Sequence, residues 1–270
     1  MRPTNTILGQ HFSIAGQLRF TFPRMLMSLF IMSYMVADGV LISRYMGTVA
    51  LASLNMIFPL AIFLGAVGIM LSAGGGSVVS RRMGAGDSAG ADRALSTLVY
   101  AEFAFGVIVG LLGILLLDPL LDFLNVNEEQ YAYAYEYQIV WLAFMPCFLL
   151  SVLSQTFFTV AGFPKLGLAV SIASGLTNVV LDIVFMGPFG RGMYGGALAT
   201  VISWIVAAVA GGIFFCRTKA PIKIILTRPD WAALKGACTS GFSEMVGSLS
   251  SSVTLYLFNA AFMYWLGVDV

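Results

Sequence analysis

Between Arg44 and Arg81 the chain holds no charged residue. The apolar stretch inside that interval, Leu51–Ser80, exceeds the roughly 20 residues that carry a helix across a bilayer. In hydrocarbon every backbone N–H and C=O must be satisfied internally, so such a run crosses as a helix. The pattern recurs: Phe20–Ile42 precedes it, and about Ala94–Leu117, Ala132–Ala161, Leu166–Met186, Tyr194–Cys216 and Cys238–Leu266 follow, seven predicted spans in 270 residues. Charged residues make up 10% of the chain, against about 25% in soluble domains. The first span is flanked by Arg19, Arg24 and Arg44, carries Asp38, and lacks the short core and small-residue cleavage site of a signal peptide. The fold class is therefore an all-α membrane protein whose principal partner is the lipid bilayer.

Other classes fall away on composition. A net charge of +1 supplies no broad field for nucleic acid. Cys147, Cys216 and Cys238 are odd in number and sit in or beside apolar runs, so packing rather than a disulfide framework is expected. His11 is the only histidine and has no partner at ligand spacing, which argues for a surface residue and against a transition-metal site. Gly74, Gly75, Gly76, Gly84 and Gly86 lack the Lys–Ser/Thr ending of a phosphate loop and are expected to serve close packing and a tight turn. Gly106 and Gly110 form a small-xxx-small packing pair. No nucleophile–base constellation suggests an enzyme.

With the N-terminus in the cytoplasm, all but Arg44 and Arg191 of the 14 basic residues fall on the cytoplasmic side. That bias orients the protein as a multi-pass, N-in protein of the cytoplasmic membrane. Residues 1–216 then form a six-helix transmembrane lobe. Residues 217–236 form a basic inter-lobe linker, where Pro221, Ile222, Ile224, Ile225, Leu226 and Trp231 interleave with cations, as a linker or as an interfacial helix on anionic lipid. Residues 237–270 form a seventh helix. Shifting the chain by 220 positions pairs Phe22 with Phe242, Met25 with Met245, Ser28 with Ser248, Leu29 with Leu249 and Gly47 with Gly267. The seventh helix thus reads as the start of a second, parallel-repeat lobe, and the chain as a fragment without the rest of that C-terminal lobe.

Polar groups at membrane depth are expensive and mark cavities or ion paths. Asp38 lies one turn after Tyr34, and Asp182 one turn after Asn178, so each pair shares a helix face. Two carboxylates brought into one desolvated volume resist joint ionisation unless a proton or cation joins them. Thr200 adds a neutral oxygen. Arg24 and Glu102 are expected to snorkel to the headgroups, with Glu136 and Glu244 close to span ends. Pro23, Pro59 and Pro146 each free a carbonyl one turn back and can bend their spans. Met25, Met27, Met32, Met35, Met56 and Met70, concentrated in the first two spans, suit a pocket that accepts ligands of varied shape, but read first as lipid-facing or core side chains.

Pro23 through Asp38, Gly47–Ala52, Pro59, Gly74–Ser80 leading into Gly84–Asp87, Ala94, Tyr137 with Pro146, Gly162–Lys165, Asn178–Asp182 and Gly195–Ser203, in this order and spacing, resemble the multidrug and toxic compound extrusion (MATE) family. The resemblance implies two six-helix lobes that open alternately and expel organic cations or drug-like substrates in exchange for H⁺ or Na⁺, with no cofactor. Carried over residue by residue, it implies a cation site, for a proton or Na⁺, at Asp38, Asn178, Asp182 and Thr200, with Tyr34 and Tyr137 lining the cavity. Ile31 stands where some members carry glutamine. A lone lobe has no second wall to rock against, so this length is expected not to pump alone. Two alternatives remain at this point: a flippase for lipid-linked oligosaccharides, which would favour a cationic cavity, and a non-transporting module that binds a partner through its seventh helix.

Overall fold

The computed structural model describes residues 14–217 and 220–266. Arg2, His11, Lys219, Gly267 and Val270, on which some expectations fall, lie outside the described residues. The elements are α1 (Ile14–Met46), α2 (Thr48–Gly84), α3 (Ser88–Leu115), α4 (Leu117–Phe123), α5 (Glu128–Ala143), α6 (Met145–Val160), α7 (Pro164–Met186), α8 (Gly192–Cys216) and α9 (Trp231–Leu266). Among the described residues six helices are each long and apolar enough to cross a membrane, and α5 with α6 makes a seventh span broken by 62°. The chain reverses between α1 and α2 at Gly47, whose φ of +88° is a left-handed conformation open to glycine.

α2 is the axis of the bundle, packing on α9, α3, α6, α5 and α1, while α1 leans chiefly on α7 and α7 on α8. Two apolar cores form along it. One gathers Leu142, Met145, Leu149 and Met193 beside the Trp141–Trp204 edge contact. The other, toward the basic end, gathers Leu95, Leu98, Phe157, Phe158 and Phe215. At the opposite, acidic end the hydroxyl of Tyr131 donates to Asp118 at 2.5 Å. Met25, Met32 and Met35 face outward from α1, whereas Met27, Met56 and Met70 are buried. The three cysteines are free thiols.

Of the three expected bending prolines, only Pro146 adjoins a marked bend. The span drawn as Ala132–Ala161 breaks at Phe144, and Pro146 follows at the second position of α6. Pro23 and Pro59 sit inside uninterrupted helices. The elbow is seated on α3. A Cβ added at Gly106 would lie 2.6 Å from Pro146 Cα, and one at Gly110 would lie 2.5 Å from the Leu142 carbonyl oxygen. These are backbone contacts that only glycine permits.

α9 packs along α2 by the same device. A Cβ at Gly74 would strike the Ala237 carbonyl, and one at Gly241 the Met70 carbonyl. Farther along the pair, Ser252 Oγ donates to the Pro59 carbonyl at 2.7 Å, and Asn259 Nδ2 donates to the Asn55 carbonyl at 2.9 Å. Asn55 is the residue whose acceptor Pro59 leaves without its usual N–H. Asn259 supplies the missing proton across the interface, which explains how α2 carries a proline without breaking.

Two expectations are corrected. Among the described residues no interfacial helix forms between α8 and α9: residues 221–230 are a strap without regular secondary structure. Pro221 and Pro229 oppose a helix, and Ile222, Ile224, Ile225 and Thr227 favour extended backbone. α3 takes up the strap's backbone groups. Lys223 N donates to Asp92 Oδ1 at 2.8 Å, Ile225 N to Ser96 Oγ at 2.8 Å, Asp230 N to Thr97 Oγ1 at 2.9 Å, and Tyr100 OH to the Ile225 carbonyl at 2.8 Å. Asp230 closes the strap with a 2.6 Å ion pair to Arg82 and caps α9 by accepting from Ala233 N. The second correction is Glu102, which does not snorkel. It is fully buried against α2, where Ser72 Oγ donates to its Oε1 at 2.7 Å. α3 turns that face into the bundle, so the carboxyl has no route to the headgroups.

Two outcomes follow from these contacts. Gly74→Ala and Gly241→Ala should each lower stability in detergent by roughly 1–3 kcal/mol, as forced overpacking does, and Asn259→Ala by about 1 kcal/mol; thermal unfolding checks both. The Arg82 guanidinium holds the Asp230 carboxyl below its ordinary value. A depressed carboxyl stabilises the fold above the unfolded value of about 3.9 and loses that contribution as pH falls through the lower folded value. Trp231 emission, followed in a single-tryptophan variant, should therefore hold steady from pH 7 to 5, change only below about pH 4, and change at higher pH in Arg82→Ala.

Candidate functional site

The pocket is built from four helices. α1 presents Tyr34 and Asp38 one turn apart, α7 presents Asn178 and Asp182 with the same spacing, α8 brings Thr200, and α5 brings Tyr137. α1 reaches α7 because Gly175, one turn before Asn178, leaves room: a Cβ there would lie 2.7 Å from the Tyr34 ring and 2.8 Å from Phe30. Gly196, one turn before Thr200, faces Asp182 more loosely, with a Cβ position 3.9 Å from Oδ1.

Thr200 joins two arms of the pocket. Its Oγ1 accepts from Asn178 Nδ2 at 3.3 Å and lies 3.4 Å from the Tyr137 hydroxyl. The Asp38 and Asp182 carboxyls interact directly with each other, and the Asp38 charge also bears on Tyr34 and Tyr137. All six residues expected in one site are thus brought together. Asp182 is fully buried, Asn178 and Tyr137 nearly so, and Asp38, Tyr34 and Thr200 are half-buried.

What distinguishes the pocket is the state of its oxygens. Asp38 Oδ1, Asn178 Oδ1 and both Asp182 oxygens are buried and receive no hydrogen bond from any described residue. Buried acceptors left in this state are costly, and facing carboxylates add mutual repulsion. A proton between the carboxyls, or a hard monovalent cation bound by oxygen alone, answers both costs; an all-oxygen set suits such ions and not a soft transition metal. Glu244 and Glu136 are exposed and take no part. Gly175 and Gly196 were absent from the expected site, although a glycine one turn before Asn178 and another before Thr200 were visible in the sequence.

Comparison with known proteins bears on the fold and the family. The MatE family model matches residues 23–184. A FAD transporter of Shewanella oneidensis is 24% identical over 248 residues, covering 88% of this chain and 55% of that protein. The multidrug export protein MepA of Staphylococcus saprophyticus is 26% identical over 246 residues, covering 90% of this chain and 54% of that one. Among solved structures, a multidrug resistance MATE family transporter of the MOP superfamily in its outward-facing conformation superposes with a TM-score of 0.82 at 25% identity, over 90% of this chain and 54% of that one. A MOP superfamily transporter from Pyrococcus furiosus gives 0.83 at 24% identity, over 91% and 55%. A bundle of membrane helices closed around buried carboxyls, with these likenesses, defines a multi-pass membrane transporter fold. The chain belongs to the MatE family, the multidrug and toxic compound extrusion transporters. It spans about half the length of the curated relatives it matches.

The two glycines of the pocket should respond oppositely to a methyl group. Gly175→Ala should destabilise the protein by roughly 1–3 kcal/mol by pushing α1 off α7. Gly196→Ala, whose Cβ would make only ordinary contacts, should be neutral or gain up to about 1 kcal/mol in helix propensity; unfolding temperatures of the two variants decide.

Proposed function

We propose that this chain takes part in secondary active multidrug efflux, exchanging drug-like organic cations for H⁺ or Na⁺ across the cytoplasmic membrane, with its N-terminus in the cytoplasm. The observation that carries the proposal is the facing pair Asp38 and Asp182, held on different helices with buried oxygens that no protein donor satisfies. In this role Asp38, Asn178, Asp182 and Thr200 couple the ion, while Tyr34 and Tyr137 line the cavity around it. The acidic character of the pocket favours a cationic substrate, and it disfavours the flippase alternative, since a pyrophosphate would meet carboxylates where it needs cations.

The mechanism follows from repulsion. With both carboxylates ionised, α1 and α7 are driven apart at this level, and an organic cation can neutralise the pair from the cavity. When a proton or Na⁺ takes that place, the charge that held the substrate is gone and α1 can close on α7. α1 is suited to move, because only 11% of its most apolar window is buried in the bundle. The ion and the substrate must each bind one arrangement more tightly than the other, and competition for the same charge supplies the difference.

Residues 1–216 serve in this scheme as one lobe, with α9 beginning its parallel-repeat counterpart and the strap joining them. The greater length of the relatives supports this division, the second lobe forming the opposing wall of the cavity. The test is efflux of a cationic dye by the intact protein in cells stripped of competing pumps. Asp38→Asn and Asp182→Asn should each reduce efflux at least tenfold at unchanged membrane abundance, and imposed proton and sodium gradients identify the ion. Undiminished efflux from Asp38→Asn would remove the pair from the coupling role.

A further inference from the structure

The strap and α3 border a second, quite different site at the basic end. A cavity of about 450 Å³ opens there, lined by Arg93, Thr227, Arg228, Pro229, Asp230 and Trp231. Its one acid is already engaged: Asp230 Oδ2 is paired with Arg82 and Oδ1 accepts from Ala233 N. Arg93 and Arg228 are exposed and make no ion pair with another described residue, so the walls carry two cations in excess of what the protein neutralises. The rim is apolar. Trp231, the first residue of α9, lines the cavity and is 72% exposed, and Leu226, next to Thr227 on the strap, is 99% exposed. Tryptophan beside cations at the end of a membrane helix is the composition of the headgroup layer, where the ring sits among acyl chains and the N–H meets polar groups.

We propose that this cavity binds the phosphate of an anionic phospholipid, with Arg93 and Arg228 on the phosphate oxygens, Thr227 Oγ1 as a further donor, and Leu226 and Trp231 set against the acyl chains. Arginine suits the task because its planar fork meets phosphate with paired N–H donors. Arg93 comes from α3 and Arg228 from the strap, and the strap's hydrogen bonds to α3 tie the two segments together before anything binds. The site stands apart from the carboxylate pocket in charge and in its helices, and depends on the membrane-spanning architecture but not on transport.

The test is binding by the intact purified protein in neutral detergent, read by retained lipid in native mass spectrometry and by Trp231 emission. The probes are dioleoyl phosphatidylglycerol, dioleoyl phosphatidylcholine and inorganic phosphate. Phosphatidylglycerol should be retained and shift Trp231, whereas phosphatidylcholine should do neither. Each cation near an anionic headgroup is worth about fivefold, so Arg93→Ala with Arg228→Ala should weaken phosphatidylglycerol binding about 30-fold, and the paired lysine variants should recover most of it. Both arginines are exposed, so unfolding temperatures should be unchanged. Equal retention by the double alanine variant overturns the proposal. Displacement of the lipid by millimolar inorganic phosphate overturns the lipid assignment and makes the site one for soluble phosphate. Neither readout requires efflux, so failure here leaves the coupling role of Asp38 untouched, and the converse also holds.

Discussion

Close approach of backbone to backbone, bought with glycine, is the constraint on which the rest of this bundle depends. Lipid tails are as apolar as leucine, so hydrophobic burial gives helices little reason to associate within a bilayer, and packing and hydrogen bonds must do so instead. Gly74 against Gly241 brings α9 onto α2, Gly106 and Gly110 seat the elbow of α5 and α6 on α3, and Gly175 admits α1 to α7. The hydrogen bonds that follow are short because these contacts come first. Asn259 reaches the Asn55 carbonyl only when α9 lies directly on α2, and Asp38 faces Asp182 only when the Tyr34 ring rests on Gly175.

A second regularity is the accounting of buried polar groups. Nearly everywhere the protein closes the ledger with its own atoms. The acceptor exposed by Pro59 is answered by Asn259, the strap's amides by Asp92, Ser96 and Thr97, and one oxygen of Glu102 by Ser72. The carboxylate pocket breaks the rule with four orphaned oxygens in one place. In a low-dielectric interior such a cluster is tolerated where something mobile completes it, and the contrast with the surrounding thrift, rather than the mere presence of acids, singles the pocket out.

Much of this was legible in the chain. Charge-free intervals located the spans, and the one-turn spacing of Tyr34 with Asp38 and of Asn178 with Asp182 placed four side chains on the correct faces. What escaped did so for definable reasons. The elbow at Phe144 lies in a continuous apolar run, and its angle is set by glycines on another helix. The burial of Glu102 depends on which way α3 turns toward α2, which no local pattern encodes. In the linker, Ile222, Lys223 and Ile224 alternate with a period of two, which argues against a helix, while the mixture of cations and apolar residues is equally the composition of an interfacial helix. The polar residues of α3 that hold the strap were visible as well, but a polar stripe on a membrane helix points equally to a ligand path and to a neighbouring backbone.

The strap also acts as a ruler. Anchored to α3 from Lys223 to Asp230 and continuous with α9 at Trp231, it sets the height at which α9 begins. One inserted or deleted residue between those anchors and Trp231 would displace the start of α9 and carry the Gly241 notch off Gly74. Connecting segments ordinarily absorb length variation; this one transmits it, so its residue count is as much a part of the helix interface as the glycines themselves.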